Sequence, residues 1–338
     1  MIKQPVDMTF SDKRFSMILY GSPGLGKTTL ALSAPDPILI DFDKGISRVK
    51  AYHRKATIVC STYEEVLQDI QSPEVRECQT LIIDTGGSFV TYLQDWAMRT
   101  NPAVNRQKNG ALSLKGFGTV KQEFLRFTNH VRDVMNKNII YVFHSEEQKD
   151  KDGNPMQRLQ CEGAARNLVW QPCDLGGYMQ MIGEKRIITF TPTDEFFAKG
   201  CYGIEGQRVI PTLGIHDRND FLTRLFEEAK ANIATENDAF APLKEQYDRV
   251  METVHQIVDK IDTVEAANEA LEALQKLDHA LTSKKEASAL LAEKAAELGF
   301  VYDKSAKVYK APAWRRKDGK VSDHAVAFVR LGLCDELP

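Results

Sequence analysis

Eight residues near the start of the chain, Gly21-Ser22-Pro23-Gly24-Leu25-Gly26-Lys27-Thr28, fit the pattern G-x-x-x-x-G-K-[ST]. They follow an apolar run, Phe15–Tyr20, and open a helical candidate, Lys27–Ser33. Glycines let a backbone wrap an anion without Cβ clashes. Successive N–H groups and the helix N-terminus then attract phosphate. In such a loop Lys27 reaches the β- and γ-phosphates, and the Thr28 hydroxyl ligates Mg²⁺. Thr29 continues the same turn.

The rest of the first two hundred residues keeps that rhythm. Pro37–Ile40, Thr57–Cys60, Thr80–Ile83 and Ile139–Phe143 read as further buried strands. Tyr63–Ile70, Ser88–Arg99 and Val120–Asn136 read as helices between them. Alternation of this kind implies βαβ units and a mostly parallel sheet. Gly177–Ile182 and Arg186–Thr191 around Gly183-Glu184-Lys185 predict an added hairpin. From Asp217 the pattern turns helical. Asp217 or Asn219 caps a helix to about residue 234, and Pro242 marks a boundary before Leu243–Asp259. Asp262 and the box Ser283-Lys284-Lys285-Glu286 cap two more helices, with Gly299 at the last C′ position. Tyr302–Tyr309 reads as a small β-hairpin.

The 338 residues hold 44 Lys plus Arg and 47 Asp plus Glu, a formal charge of −3. Hydrophobic residues make up 43% of the chain, enough for a core without staples. No apolar run approaches the roughly 18 residues of a membrane span, and the N-terminus has no secretory pattern. The six cysteines include no C-x-x-C pair, which fits free thiols in a reducing cytoplasm. Secreted and membrane-embedded classes are excluded.

A phosphate site of this kind needs an acid at a neighbouring strand end to hold Mg²⁺ through water. Asp84, closing Thr80–Ile83, supplies it. Asp41 and Asp43 follow Pro37–Ile40, the apolar run after the loop's helix, and residues two apart on a strand face the same way. Asp43 is the candidate that orients or deprotonates the attacking water, with Asp41 the second choice. His144 follows the fifth run, a position suited to sensing the γ-phosphate.

The set GSPGLGKTT, LIDFDKG, TIVCSTYEE, TLIIDTGGS and IIYVFHSEE, in this order, resembles the RecA-like ATPases. More narrowly it resembles phage-encoded RecA-like single-strand annealing ATPases, over about Phe15 to Pro211. The resemblance implies an α/β fold: a RecA-like P-loop NTPase core over residues 1–215, mostly parallel with an added hairpin. A helical C-terminal region (216–299) and a small basic tail (300–338) follow. It implies ATP and Mg²⁺ as cofactors and a homo-oligomeric ring or filament. It also implies the cytoplasm of a bacterial host, single-stranded DNA as partner, a single-strand-binding protein alongside, and no membrane. Asp43 stands where that superfamily keeps a catalytic Glu, so this chain departs from it by one methylene. Asp84 matches the Walker B acid, and His144 the polar sensor. Ser145 to about Gly163 matches the second DNA-binding loop. Lys199, in Phe196-Phe197-Ala198-Lys199, matches a cation that enters a neighbouring subunit's site.

Two segments carry basic charge. Arg99–Gly118 has Arg99, Arg106, Lys108 and Lys115, no acid, and Phe117, for a charge of +4. Lys304–Arg330 carries +6, with Arg315, Arg316 and Lys317 beside Trp314. The remainder of the chain therefore holds −13. Cations with interleaved aromatics suit single-stranded nucleic acid. After His144, Arg158 and Arg166 are the selected contacts, because acids offset the bulk charge there. The leading reading is a phage-type recombination ATPase that binds single-stranded DNA and promotes annealing. An AAA-type ATPase acting on a protein partner, as a helicase loader or remodeller, and a nucleotide switch with little turnover stay open beside it.

Overall fold

The computed structural model describes residues 10, 12–149, 151–161 and 169–311. They divide into two compact units, one spanning Phe10–Ala234 and one from Thr235 onward.

The first unit is built on a nine-stranded sheet among the described residues. Its strands are β1 (Ser16–Gly21), β2 (Pro37–Asp41), β3 (Thr57–Ile58), β4 (Thr80–Asp84), β5 (Asn138–Lys149), β6 (Pro155–Leu159), β7 (Leu175–Ile182), β8 (Lys185–Thr189) and β9 (Gln207–Ile210). Their order is β3-β2-β4-β5-β1-β7-β8-β9, with β6 paired to β5 outside that path. The pairs from β3 through β7 are parallel, while β8 and β9 add antiparallel. The hairpin expected around Gly183 is β7–β8.

Alternation along each strand divides the core. Ile18, Tyr20, Ile40, Ile83, Tyr141 and Phe143 face one side with Phe89, Phe124 and Phe127. Met17, Leu19, Leu39, Ile82, Ile140 and Val142 face the other with Leu30, Leu222, Leu225 and Phe226. The sheet is thus covered on both faces, and its central strands read as continuous apolar runs for that reason. Helices α2 (Tyr63–Asp69), α3 (Pro73–Glu77), α4 (Gly86–Thr100) and α6 (Leu114–Asn129) supply the first face, with the short α5 (Pro102–Asn105) joining α4 to α6. The short α1 (Lys27–Ala31) and the start of α7 (Phe221–Val258) supply the second.

Several boundaries differ from the sequence reading. The unit runs to Ala234, past residue 215, because Leu222, Leu225, Phe226, Ala229 and Ile233 complete the second face. Asp217 and Asn219 do not cap α7; Ser33 does so from a distance. Its hydroxyl accepts from Leu222 N at 2.9 Å and its carbonyl from Thr223 N at 3.0 Å. Pro242 lies inside α7, and Asp238, four residues earlier, is exposed, so water can satisfy the carbonyl that proline leaves unpaired. The segment 99–118 is no open loop. Helix α4 runs to Thr100, α5 follows, an Arg106–Leu112 bridge closes a turn, and Ser113 caps α6.

In the second unit, the remainder of α7 packs with α8 (Val264–Gln275) and α9 (Ser283–Glu297) around Val254, Leu274, Leu291 and Phe300. Strands β10 (Val301–Asp303) and β11 (Val308–Lys310) form the expected hairpin, and Tyr309 joins the core. Thr263, one residue after Asp262, caps α8 through Ala266 N. Ser283 is the first residue inside α9, its hydroxyl taken by Ala280 N, and Glu286 accepts from the Tyr247 hydroxyl. No helix among the described residues is long and apolar enough to cross a membrane.

Candidate nucleotide site

Four adjacent strands, β2, β4, β5 and β1, bring residues to one edge of the sheet. Register sets Gly21 beside His144, Val142 beside Asp84, and Asp84 beside Asp41. Carboxyl ends of parallel strands are where α/β sheets take ligands. The loop Ser22–Gly26 leaves β1 there, with Gly24 at φ 81° and Gly26 at φ 80°. Both are left-handed values that favour glycine. A cleft of about 380 Å³ opens between them, lined by Lys27, Thr28, Asp43, Arg48, Asp84 and His144 among others.

Within the cleft the side chains are already in contact. The Lys27 ammonium donates to Gly21 O at 2.9 Å and Ser22 O at 2.8 Å, and lies 3.3 Å from His144 Nδ1. The Thr28 hydroxyl donates to Asp84 Oδ2 at 2.5 Å. Burial pushes Lys27 down to about 8, against the attraction of Asp84. Burial pushes Asp84 up to about 6, with Asp41 and Asp43 adding repulsion, while the Thr28 hydrogen bond and Lys27 oppose the rise. His144 is lowered by burial first and then by Lys27. A triphosphate would relieve the lysine and a divalent cation would relieve the acids.

Thr28 and Asp84 offer hard oxygen donors of the kind Mg²⁺ takes beside substrate phosphates. Among the described residues no three His, Cys, Asp or Glu side chains form a metal cage.

Asp41 and Asp43 separate clearly. Asp41 is 1% exposed and accepts from Gly45 N at 2.8 Å and Ile46 N at 2.9 Å, so it pins the turn after β2. Asp43 faces the cleft and meets Arg48 Nη2 at 2.5 Å, with the Ser88 hydroxyl 3.5 Å from its other oxygen. Arg48 and Ser88 were not readable in the sequence as site residues, because the turn pinned by Asp41 and the start of α4 bring them there. A further cation, Arg186 on β8, lies against Gly26 and donates to Pro211 O at 3.0 Å.

Other expected residues stand elsewhere. His144 does not end its strand. Past His144, β5 continues to Lys149 and pairs antiparallel with β6, so Ser145–Lys149 and Pro155–Leu159 form a β-arm where a loop was expected. On that arm Arg158 stacks 3.6 Å from the Phe197 ring centroid. Lys199 bridges to Gly176, and its ammonium donates to Cys173 O at 2.5 Å, within its own chain. Arg99 pairs with Glu64 at 2.8 Å on α2. Arg106, Lys108 and Lys115 are exposed, and Phe117 lies on α6, 43% exposed. Arg166, Arg315, Arg316 and Lys317 lie outside the described residues. Cys60, Cys78, Cys161, Cys173 and Cys201 are free thiols.

Comparison with known proteins adds one finding. A family model described as an AAA domain matches residues 13–202. That is more than half of the chain, and the chain belongs to this family of P-loop ATPases. No curated protein matches it.

Proposed function

We propose that this AAA-domain chain binds and hydrolyses ATP with Mg²⁺, binds single-stranded DNA, and uses the nucleotide to govern strand annealing in recombination of the phage type. The observation that carries the ATPase half is the cleft itself, with Lys27, Thr28, Asp43, Asp84 and His144 lining one volume at the strand ends. The DNA half is supported by the continuity of β5. One strand carries His144 beside Lys27 and then runs five residues further into the β5–β6 arm. A change at the γ-phosphate has a short path into that arm. Exposed Arg106, Lys108 and Lys115 on the α5–α6 segment add cations without acids between them.

The test is the ATPase rate with and without single-stranded DNA, with light-scattering mass in each state. Stimulation by DNA alone, with a larger assembly, is the expected result. A rate indifferent to DNA at every salt concentration, but raised by a protein, would transfer the chain to the protein-directed alternative. No turnover in either case would leave a nucleotide switch.

A further inference from the structure

The cleft contains an arginine that no sequence pattern assigns. Arg48 lies on the short helical turn Ile46–Arg48 after β2, and its side chain is 70% exposed. Its guanidinium nevertheless folds back to Asp43 at 2.5 Å and lines the same cleft as Lys27, Thr28, Asp84 and His144. Two features hold this arrangement. Asp41 fixes the turn through Gly45 N and Ile46 N. Glycine at 45 leaves the space that a Cβ would take from the guanidinium.

Resting on the ATPase reading above, we propose that Arg48 is an arginine finger supplied in cis, held on Asp43 until a triphosphate arrives. The γ-phosphate carries more negative charge than one carboxylate, and a planar guanidinium matches its oxygens two at a time. When it enters beside Lys27, Arg48 transfers from Asp43 to the phosphate. Asp43 is then free to take a hydrogen bond from the attacking water. The water oxygen bonds to the γ-phosphorus. The bond to the β,γ-bridging oxygen breaks and leaves its electron pair on ADP. The water's proton passes to Asp43 and from there to the phosphate product. One guanidinium thus suppresses the base in the empty site and stabilises the equatorial oxygens in the filled one. The arrangement also accounts for a working site in which Lys199 is engaged with Cys173 O in its own chain.

The experiment uses the full chain and the variants Arg48→Ala, Arg48→Lys and Asp43→Asn. Affinities for Mg²⁺ with ADP, with a non-hydrolysable ATP analogue, and with ADP plus aluminium fluoride are measured beside steady-state turnover. Arg48→Ala should lower kcat about 10³-fold. It should also lose about tenfold or more in preference for the triphosphate analogue over ADP. Tightening by aluminium fluoride should disappear, and Arg48→Lys should restore little of it, because an ammonium lacks the fork. Because the Arg48 side chain is exposed, Arg48→Ala should melt at the wild-type temperature, and thermal melting checks this. An Arg48→Ala chain with unchanged kcat and unchanged triphosphate preference overturns the inference alone. A faster Arg48→Ala chain overturns it too, since the guanidinium would then only restrain Asp43. A wild-type chain that binds no nucleotide overturns both this inference and the ATPase reading.

Discussion

Lys27 shows how a single residue carries information about its ligand. Only 5% exposed, it spends its donors on Gly21 O and Ser22 O, and burial holds its pKa near 8. A bound triphosphate replaces that environment with negative charge, which moves the pKa back up. Near pH 8 the empty site is half protonated and the filled site fully so. Binding should therefore take up protons through Lys27 at pH 8. Calorimetry of the Mg²⁺-free nucleotide in buffers of different ionisation enthalpy reads this directly. Proton release at pH 8, or no uptake, would contradict the placement of the phosphates beside Lys27. The loop was legible in the sequence because its conformation is local: glycines, lysine and hydroxyl are fixed by adjacency. Arg48 was not legible, because its meeting with Asp43 depends on Asp41 accepting from two backbone amides in a turn with no distinctive composition.

At the scale of elements, the buried parallel strands were read well, β6 and β9 were not read, and helix ends were read less well, for different physical reasons. A strand buried on both faces must be apolar along its length, and β1, β2 and β4 are fully buried. Helix starts depend on who satisfies the first free N–H groups, and α7 takes its partner from a residue nearly two hundred positions away. No local pattern announces Ser33 as that partner. Ser33 also donates to Leu30 O at 2.5 Å, so one side chain ties α1 to α7. Ser33→Ala should destabilise the first unit by about 1–2 kcal/mol, the usual cost of a lost cap. Urea unfolding gives the value, and nucleotide affinity supplies a second readout because α1 begins at Lys27. A change below a few tenths of a kcal/mol would mean that water replaces the hydroxyl.

For the whole molecule, charge and compactness divide the chain in different places. Every residue of the candidate nucleotide cleft lies in the unit Phe10–Ala234, and so do both core faces that support it. The basic stretch Arg99–Gly118 lies in that unit as well, whereas Lys304–Arg330 lies beyond it. A chain ending at Ala234 should therefore unfold cooperatively and bind ADP with Mg²⁺ within about threefold of the full chain, as distant parts act additively. On the proposed reading, in which the chain binds single-stranded DNA, that binding should change in a particular way. Each lost phosphate contact flattens the log affinity against log salt slope by about 0.7. If the +6 segment supplies contacts, the shortened chain loses slope in such steps while keeping nucleotide affinity. If Arg106, Lys108 and Lys115 supply them, the slope stays and falls only when those three are replaced by Gln. Equal slopes in all three chains would remove both basic segments from the DNA surface and leave the β5–β6 arm, with Arg158 against Phe197, as the place to look.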